Sequence, residues 1–139
     1  MAGKMNLADL DEAAFLRQPA RLQAEICLDH LPDGVLVVDG VGKILMVNQA
    51  FCRFAQYSEK ELRLKNLSML LPDGLRRRHA KWFQSFNADA DMPVRRMGDA
   101  KKPFPLRRRD GTCAPVDIAI SRAATKAGRL CIAVVRWAQ

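Results

Sequence analysis

The sequence has few of the residues that most catalytic and metal sites need. It holds 2 histidines and 4 cysteines among 139 residues, and no cysteine has a C-x-x-C or other metal-ligand spacing to a neighbour. A G-x-S-x-G elbow, a phosphate-binding loop and an H-E-x-x-H motif are all absent. We therefore expect no structural zinc site and no hydrolase, kinase or metalloprotease centre, and we do not expect an enzyme.

Long apolar runs are also missing. No stretch approaches the roughly 20 residues that span a bilayer as a helix. The N-terminal segment MAGKMNLADLDEAAF carries acidic residues where a secretory signal would be apolar. These features predict no membrane insertion, a cytoplasmic protein and reduced thiols.

The chain does have a globular composition and one basic region. With 49% hydrophobic and 27% charged residues it should form a single packed domain. Of its formal charge of +8, most comes from the 11 basic and 4 acidic residues between Asp73 and Arg109. This segment could form a face for an acidic or phosphate-bearing partner. We favour a solvated rim without nucleic-acid binding, because no aromatic residues interleave with the charges.

The N-terminal region predicts two helices. Asn6 is a good cap for a helix to about Gln18, and Pro19 separates it from a second helix between about Ala20 and His30. Apolar residues at spacings of three and four give each helix one apolar stripe, which must cover a core or meet a partner. These residues are Leu7, Leu10, Ala14, Leu22 and Ile26.

The rest of the chain alternates between strand and helix patterns. An Asp-Gly turn joins two β-rich runs as a hairpin, and Ser58 begins an S-x-x-E capping box. The predicted elements are a hairpin of 35–38 and 43–48, a helix around 50–55, a helix from Asp73 to Phe86, a loop over Asn87–Lys102, and strands at Phe104–Arg109, around 116–121 and at Leu130–Trp137. This order is typical of an α+β fold with one antiparallel sheet and helices on one side.

Two stretches, LPDGVLVVDGVGKILMVNQAFCRFAQYSEKEL and RRRDGTCAPVDIAIS, resemble the PAS sensory domain in order and spacing. The resemblance runs from about Leu31 to Trp137. It implies a five-stranded antiparallel sheet of order 2-1-5-4-3, with short helices that close a pocket over one face. It also implies a helical cap over 1–30 that supports a homodimer, and a PAS domain over 31–139. The sequence leaves open which signalling partner or fused output domain it serves, and whether it is a fragment or a stand-alone sensor.

The segment LLPDGLRRRHAKWFQSF resembles the long helix of heme-binding PAS oxygen sensors. The resemblance implies heme b as the best candidate cofactor, His79 as its proximal ligand and Met97, eighteen residues later, as a distal ligand. Asp99 replaces the arginine of the oxygen-binding members, so no donor to bound oxygen is expected there. The candidate cofactor-binding residues are His79, Trp82, Phe83, Phe86, Met97, Ile118 and Ile120.

Two alternatives to heme come from the same residues. In a ligand-free interaction module, His79 makes an ordinary hydrogen bond, Met97 fills core volume, and the sheet and N-terminal helices dock a partner protein. In a flavin-binding domain, the segment around Cys52 would resemble light-sensing LOV domains. The stretch Leu64–Ser68, however, lacks their photoactive cysteine. We therefore do not expect FMN, and we interpret Cys52 as a small buried hydrophobic residue.

Overall fold

The computed structural model of the protein describes residues 12–88, 94–97, 103–126 and 128–137; at positions 82, 85–88 and 94–97 it describes the backbone alone. In chain order the elements are helices α1 (Glu12–Arg17) and α2 (Ala20–Asp29), strands β1 (Gly34–Asp39) and β2 (Ile44–Val47), helices α3 (Gln49–Ala55) and α4 (Glu59–Leu62), two 3-10 turns (Leu67–Leu70 and Asp73–Leu75), helix α5 (Arg76–Ala88), and strands β3 (Val94–Met97), β4 (Phe104–Arg107), β5 (Cys113–Thr125) and β6 (Gly128–Trp137).

One antiparallel sheet carries the fold, in the order β2-β1-β6-β5-β3, with β4 also paired to β5. Val116 of β5 faces Trp137 of β6 on one side and Phe104 of β4 on the other, so β4 lies at the same edge as β3. Strands β3 and β4 therefore share one position. The five positions have the predicted order 2-1-5-4-3.

Strand β3 corrects the prediction of a loop over Asn87–Lys102. Its backbone pairs with β5 from Val94 opposite Ser121 to Met97 opposite Ile118. The sequence did not indicate this strand because two of its four residues are arginines and no apolar alternation is visible. An edge strand tolerates such charge, since one of its sides does not need a strand partner.

Helix α3 packs the core beneath β1. Asn48 caps it: the side-chain oxygen accepts hydrogen bonds from the backbone N–H groups of Phe51 and Val35, and the amide nitrogen donates to the carbonyls of Leu28 and Asp33. Phe51 is fully buried, and a β-carbon at Gly34 would lie 3.2 Å from its ring. The predicted helix after Asn48 is confirmed, and α3 packs closely against β1 at Gly34.

The predicted capping box begins α4. The Ser58 Oγ accepts from the Glu61 backbone N–H, and the Glu61 carboxylate accepts from the Ser58 N–H, each at 3.1 Å. Glu61 also pairs with Arg109 in the turn between β4 and β5, and the Arg109 N–H donates to the Ala55 carbonyl. These contacts hold the β4–β5 turn against the α3–α4 connection.

The N-terminal helices α1 and α2 lie where the two predicted helices were expected, although Asn6 falls outside the described residues. Neither helix buries a residue, and Leu16, Leu22 and Ile26 remain exposed. Among the residues that the structure describes, no helix is long and apolar enough to cross a membrane.

Candidate functional site

Helix α5 places His79 and Phe83 over the part of the sheet that lines the cavity described below. Pro72 and the 3-10 turn Asp73–Leu75 precede the helix, so it starts at Arg76 and not at the predicted Asp73. His79 and Phe83 are four positions apart and therefore share one helix face. Their ring centroids are 6.1 Å apart, and the ring of Phe104 from β4 lies 6.5 Å from His79.

A cavity of about 60 Å³ lies between this helix face and the sheet; we call it the inner cavity. The sheet provides its floor through Leu36, Val38, Leu106, Ile118, Ile120, Cys131 and Ala133. The helical side provides Leu67, Leu70, Leu71, His79 and Phe83, and Phe104 completes the wall. His79 and Cys131 are the lining residues whose side chains can bond to a metal, and the remaining lining side chains are hydrocarbon.

Burial in these surroundings lowers the pKa of His79 below its usual value near 6.5. The imidazole is therefore neutral at pH 7, which is the form that binds iron or other transition metals. Burial also raises the pKa of Cys131, although Arg122 opposes the shift, so this residue is a neutral thiol. The inner cavity thus presents two uncharged groups on an apolar wall.

A second space of about 230 Å³ adjoins the inner cavity; we call it the rim cavity. It lies between the β1–β2 turn, the segment 66–68 and the outer side of α5, including Arg76 and Gln84. Gly42 belongs to its wall and has a φ of 89°, which a side chain would strain. Asn66 fixes this wall, because its amide nitrogen donates to the Val41 carbonyl.

The structure brings together four of the predicted cofactor residues. His79, Phe83, Ile118 and Ile120 all line the inner cavity. Met97 is placed by its backbone alone, opposite Ile118. The side chains of Trp82, Phe86 and Met97 lie outside the described residues, so their contribution remains a prediction, as does any role of His79 as a ligand.

The sequence did not identify several residues of the two cavities, among them Leu67, Leu71, Cys131 and Arg76. The one available signal was the short apolar segment after Asn66, which ends at Pro72 and is too short for an ordinary α-helix. Among the described side chains, no group of three His, Cys, Asp or Glu is close enough to share a metal ion.

The described part of the basic region forms a partly paired surface. Asp73 accepts from Arg76 at 3.1 Å and from Arg107 at 3.3 Å. Arg108 lies 5.7 Å from the centre of the Phe54 ring. The arginines at 95 and 96 and the lysines at 101 and 102 have no described side chains, so the proposed rim remains a prediction for them.

Comparison with known proteins agrees with this architecture. The chain is 30% identical over 93 residues to the sensor protein FixL of Bradyrhizobium diazoefficiens, a match that covers 67% of this chain and 18% of the relative. The chain thus spans less than a fifth of that curated relative.

Solved structures give the same fold at lower identity. The PAS domain of an HTR-like protein from Haloarcula marismortui has a TM-score of 0.67 at 22% identity, covering 84% of this chain and 90% of that one. A PAS domain from Colwellia psychrerythraea has a TM-score of 0.70 at 14% identity, covering 86% and 97%. The family model for the PAS fold matches residues 25–135. The chain therefore belongs to the PAS family of sensory domains.

Proposed function

We propose that this PAS domain is a cytoplasmic, non-catalytic sensor that binds a ligand against the neutral imidazole of His79 and signals to a partner protein. The observation that carries this proposal is the position of His79, whose uncharged ring lies on the wall of an otherwise almost wholly apolar cavity. An apolar cavity with a small number of convergent polar groups is the usual form of a small-molecule site.

Heme is the candidate ligand, and the donor chemistry of the wall fits it. His79 would hold the iron, while Phe83, Ile118 and Ile120 would contact the apolar body of the porphyrin. Met97, opposite Ile118 in the sheet register, is the proposed second ligand. A bound heme would supply an iron centre that responds to redox state or to a diatomic gas.

The volume of the inner cavity sets a condition on heme binding. Drug-sized ligands occupy about 300–1,000 Å³, whereas the inner cavity measures about 60 Å³. The side chains shared with the rim cavity must therefore separate before a porphyrin can enter.

Reconstitution with hemin tests this proposal directly. The purified protein should gain a Soret band, His79→Ala should lose it, and His30→Ala should keep it, because His30 is exposed at the end of α2. Met97→Ala should shift the band while heme remains bound. A protein that gains no Soret band, or a His79→Ala spectrum identical to the parent, would end the heme proposal.

The small inner cavity also favours a second candidate function, a ligand-free interaction module. In this case the N-terminal cap over 1–30 mediates homodimerisation of the PAS domain over 31–139. Leu16 is 69% exposed, and Leu22 and Ile26 are each 39% exposed, on helices that bury no residue of their own. A dimer partner would remove this apolar surface from water.

Sedimentation of the full chain tests the dimer. The double substitution Leu22→Glu and Ile26→Glu should convert it to a monomer. Ala24→Glu is the control, because Ala24 is exposed on the same helix but lies two positions from Leu22 and from Ile26, and so on another face. If both variants sediment like the parent, the N-terminal helices do not form the interface.

A further inference from the structure

The inner cavity and the rim cavity share four lining residues. Both spaces are lined by Leu67, Leu71, His79 and Phe83, so these four residues form a partition between them. Neither space reaches the volume of a drug-sized ligand, but together they come close to the lower end of the roughly 300–1,000 Å³ range. Displacement of these shared side chains would therefore join the two spaces into one chamber.

The two ends of this chamber differ in chemistry. The inner end is hydrocarbon apart from His79 and Cys131. The outer end has Arg76 as the one formally charged residue among its described lining side chains, together with the amides of Asn66 and Gln84. A ligand that matches both ends has an apolar body and one anionic group.

We propose that the domain binds an amphipathic monocarboxylate, which enters through the rim cavity, places its carboxylate on Arg76 and extends its apolar chain past His79 and Phe83 into the inner cavity. The inference rests on the ligand-binding function proposed above; it names a class of ligand other than heme, and the residue that selects it. Arg76 is the specificity-determining residue, because a guanidinium matches the geometry of a carboxylate.

The present contacts of Arg76 suit this role. Its Nε donates to the Ser68 carbonyl at 3.2 Å, which fixes the guanidinium at the rim. Its other partner, Asp73, also holds Arg107, so Asp73 keeps one cation when a ligand carboxylate displaces it from Arg76. Arg77 is also exposed on this helix, but it lines neither cavity.

Octanoate and octan-1-ol are matched probes for the inference, because they share one apolar chain and differ in the carboxylate. Isothermal titration calorimetry of the full chain should detect octanoate, with an affinity about tenfold lower in Arg76→Ala. Arg77→Ala is the control on the same helix and should bind octanoate like the parent. Octan-1-ol should bind both variants equally. Asp73→Asn should tighten octanoate binding, because it removes the competing carboxylate.

A further variant tests the path into the inner cavity. Phe83→Trp enlarges a partition side chain and should abolish octanoate binding, whereas a carboxylate held only at the protein surface would be unaffected. Equal affinities of the parent and Arg76→Ala for octanoate, or an unchanged affinity in Phe83→Trp, would overturn the inference. Since Arg76 is exposed, its variant keeps the test decisive even if Phe83→Trp fails to fold.

Hemin separates this inference from the proposed function. Hemin that binds through His79 while octanoate does not bind would overturn the monocarboxylate and leave the sensor function standing. If neither hemin nor octanoate binds, the ligand-binding function itself fails, and the inference fails with it.

Discussion

Helices α3 and α5 cover the same sheet, and they are packed against it in different ways. We call the two regions the α3 wall and the α5 wall. Under α3, Phe51 is fully buried, and a carbon added at Gly34 would lie 3.2 Å from its ring, closer than side chains usually pack. Under α5, Phe83 and His79 lie against cavities of about 60 and 230 Å³. The α3 wall is thus packed closely against the sheet, whereas the α5 wall leaves space beside it.

The largest expected difference between the walls is the cost of removing a phenylalanine. Phe51→Ala should lower the free energy of unfolding by about 3–5 kcal/mol, because it leaves a cavity in a closely packed region. Phe83→Ala should cost less than this range, since its ring already faces empty space and gives up fewer contacts. Urea denaturation of both variants, compared at equal m-values, measures the difference. Equal losses would contradict the contrast between the walls.

A smaller effect is expected from adding one methyl group. Gly34→Ala should destabilise the protein by about 1–3 kcal/mol, because the new carbon presses on the Phe51 ring and backbone. Gly40→Ala is the matched control: a β-carbon there meets nothing within 4 Å, and the change should stabilise by about 0.4–1 kcal/mol through the unfolded chain. Thermal unfolding of the two variants should therefore shift in opposite directions. A Gly34→Ala protein as stable as the parent would show that the α3 wall can yield.

The sequence predicted the α3 wall better than the α5 wall, for a physical reason. Helix α3 and its cap depend on Asn48 and on residues within one or two turns of it, so a local pattern is sufficient. The capping box at Ser58 is local in the same sense. The strand β3, in contrast, is a strand because β5 accepts it at an edge, and nothing in Val94–Met97 alone indicates that pairing.

The site was predictable in part. His79 was found through family resemblance, and the alternation along β5 indicated Ile118 and Ile120 as inward-facing positions. The inner cavity itself depends on residues from Leu36 to Ala133 that only the sheet order brings together. The rim position of Arg76 depends on its bonds to Ser68 and Asp73, and a run of three arginines in the sequence does not distinguish it from its neighbours.

A third prediction uses the titration of His79 on the α5 wall. Burial lowers its pKa in the folded protein, so the unfolded chain binds a proton more readily. The free energy of unfolding should therefore fall as the pH drops below the usual histidine value near 6.5, and the fall should end below the lowered pKa. In denaturation curves from pH 7.5 to 5, His79→Gln should reduce this slope. A His79→Gln variant with the parental slope would exclude the burial effect.

The smallest effect is expected on the α3 side, at the exposed link between α4 and the β4–β5 turn. The hydrogen bond from the Ser58 backbone N–H is the first cause that lowers the pKa of Glu61, and the Arg109 guanidinium adds to it. Glu61→Gln keeps an acceptor for the capping box and removes the charge that pairs with Arg109. Because exposed ion pairs contribute little, the variant should unfold close to the parent at pH 7. The free energy of unfolding of the parent should decline as the pH falls through the lowered pKa of Glu61, because a depressed pKa in the folded state stabilises only above that range. The variant should show a smaller decline over the same pH range. A large loss of stability at pH 7 would mean that the α3 wall is held by this polar link as well as by the packing of Phe51.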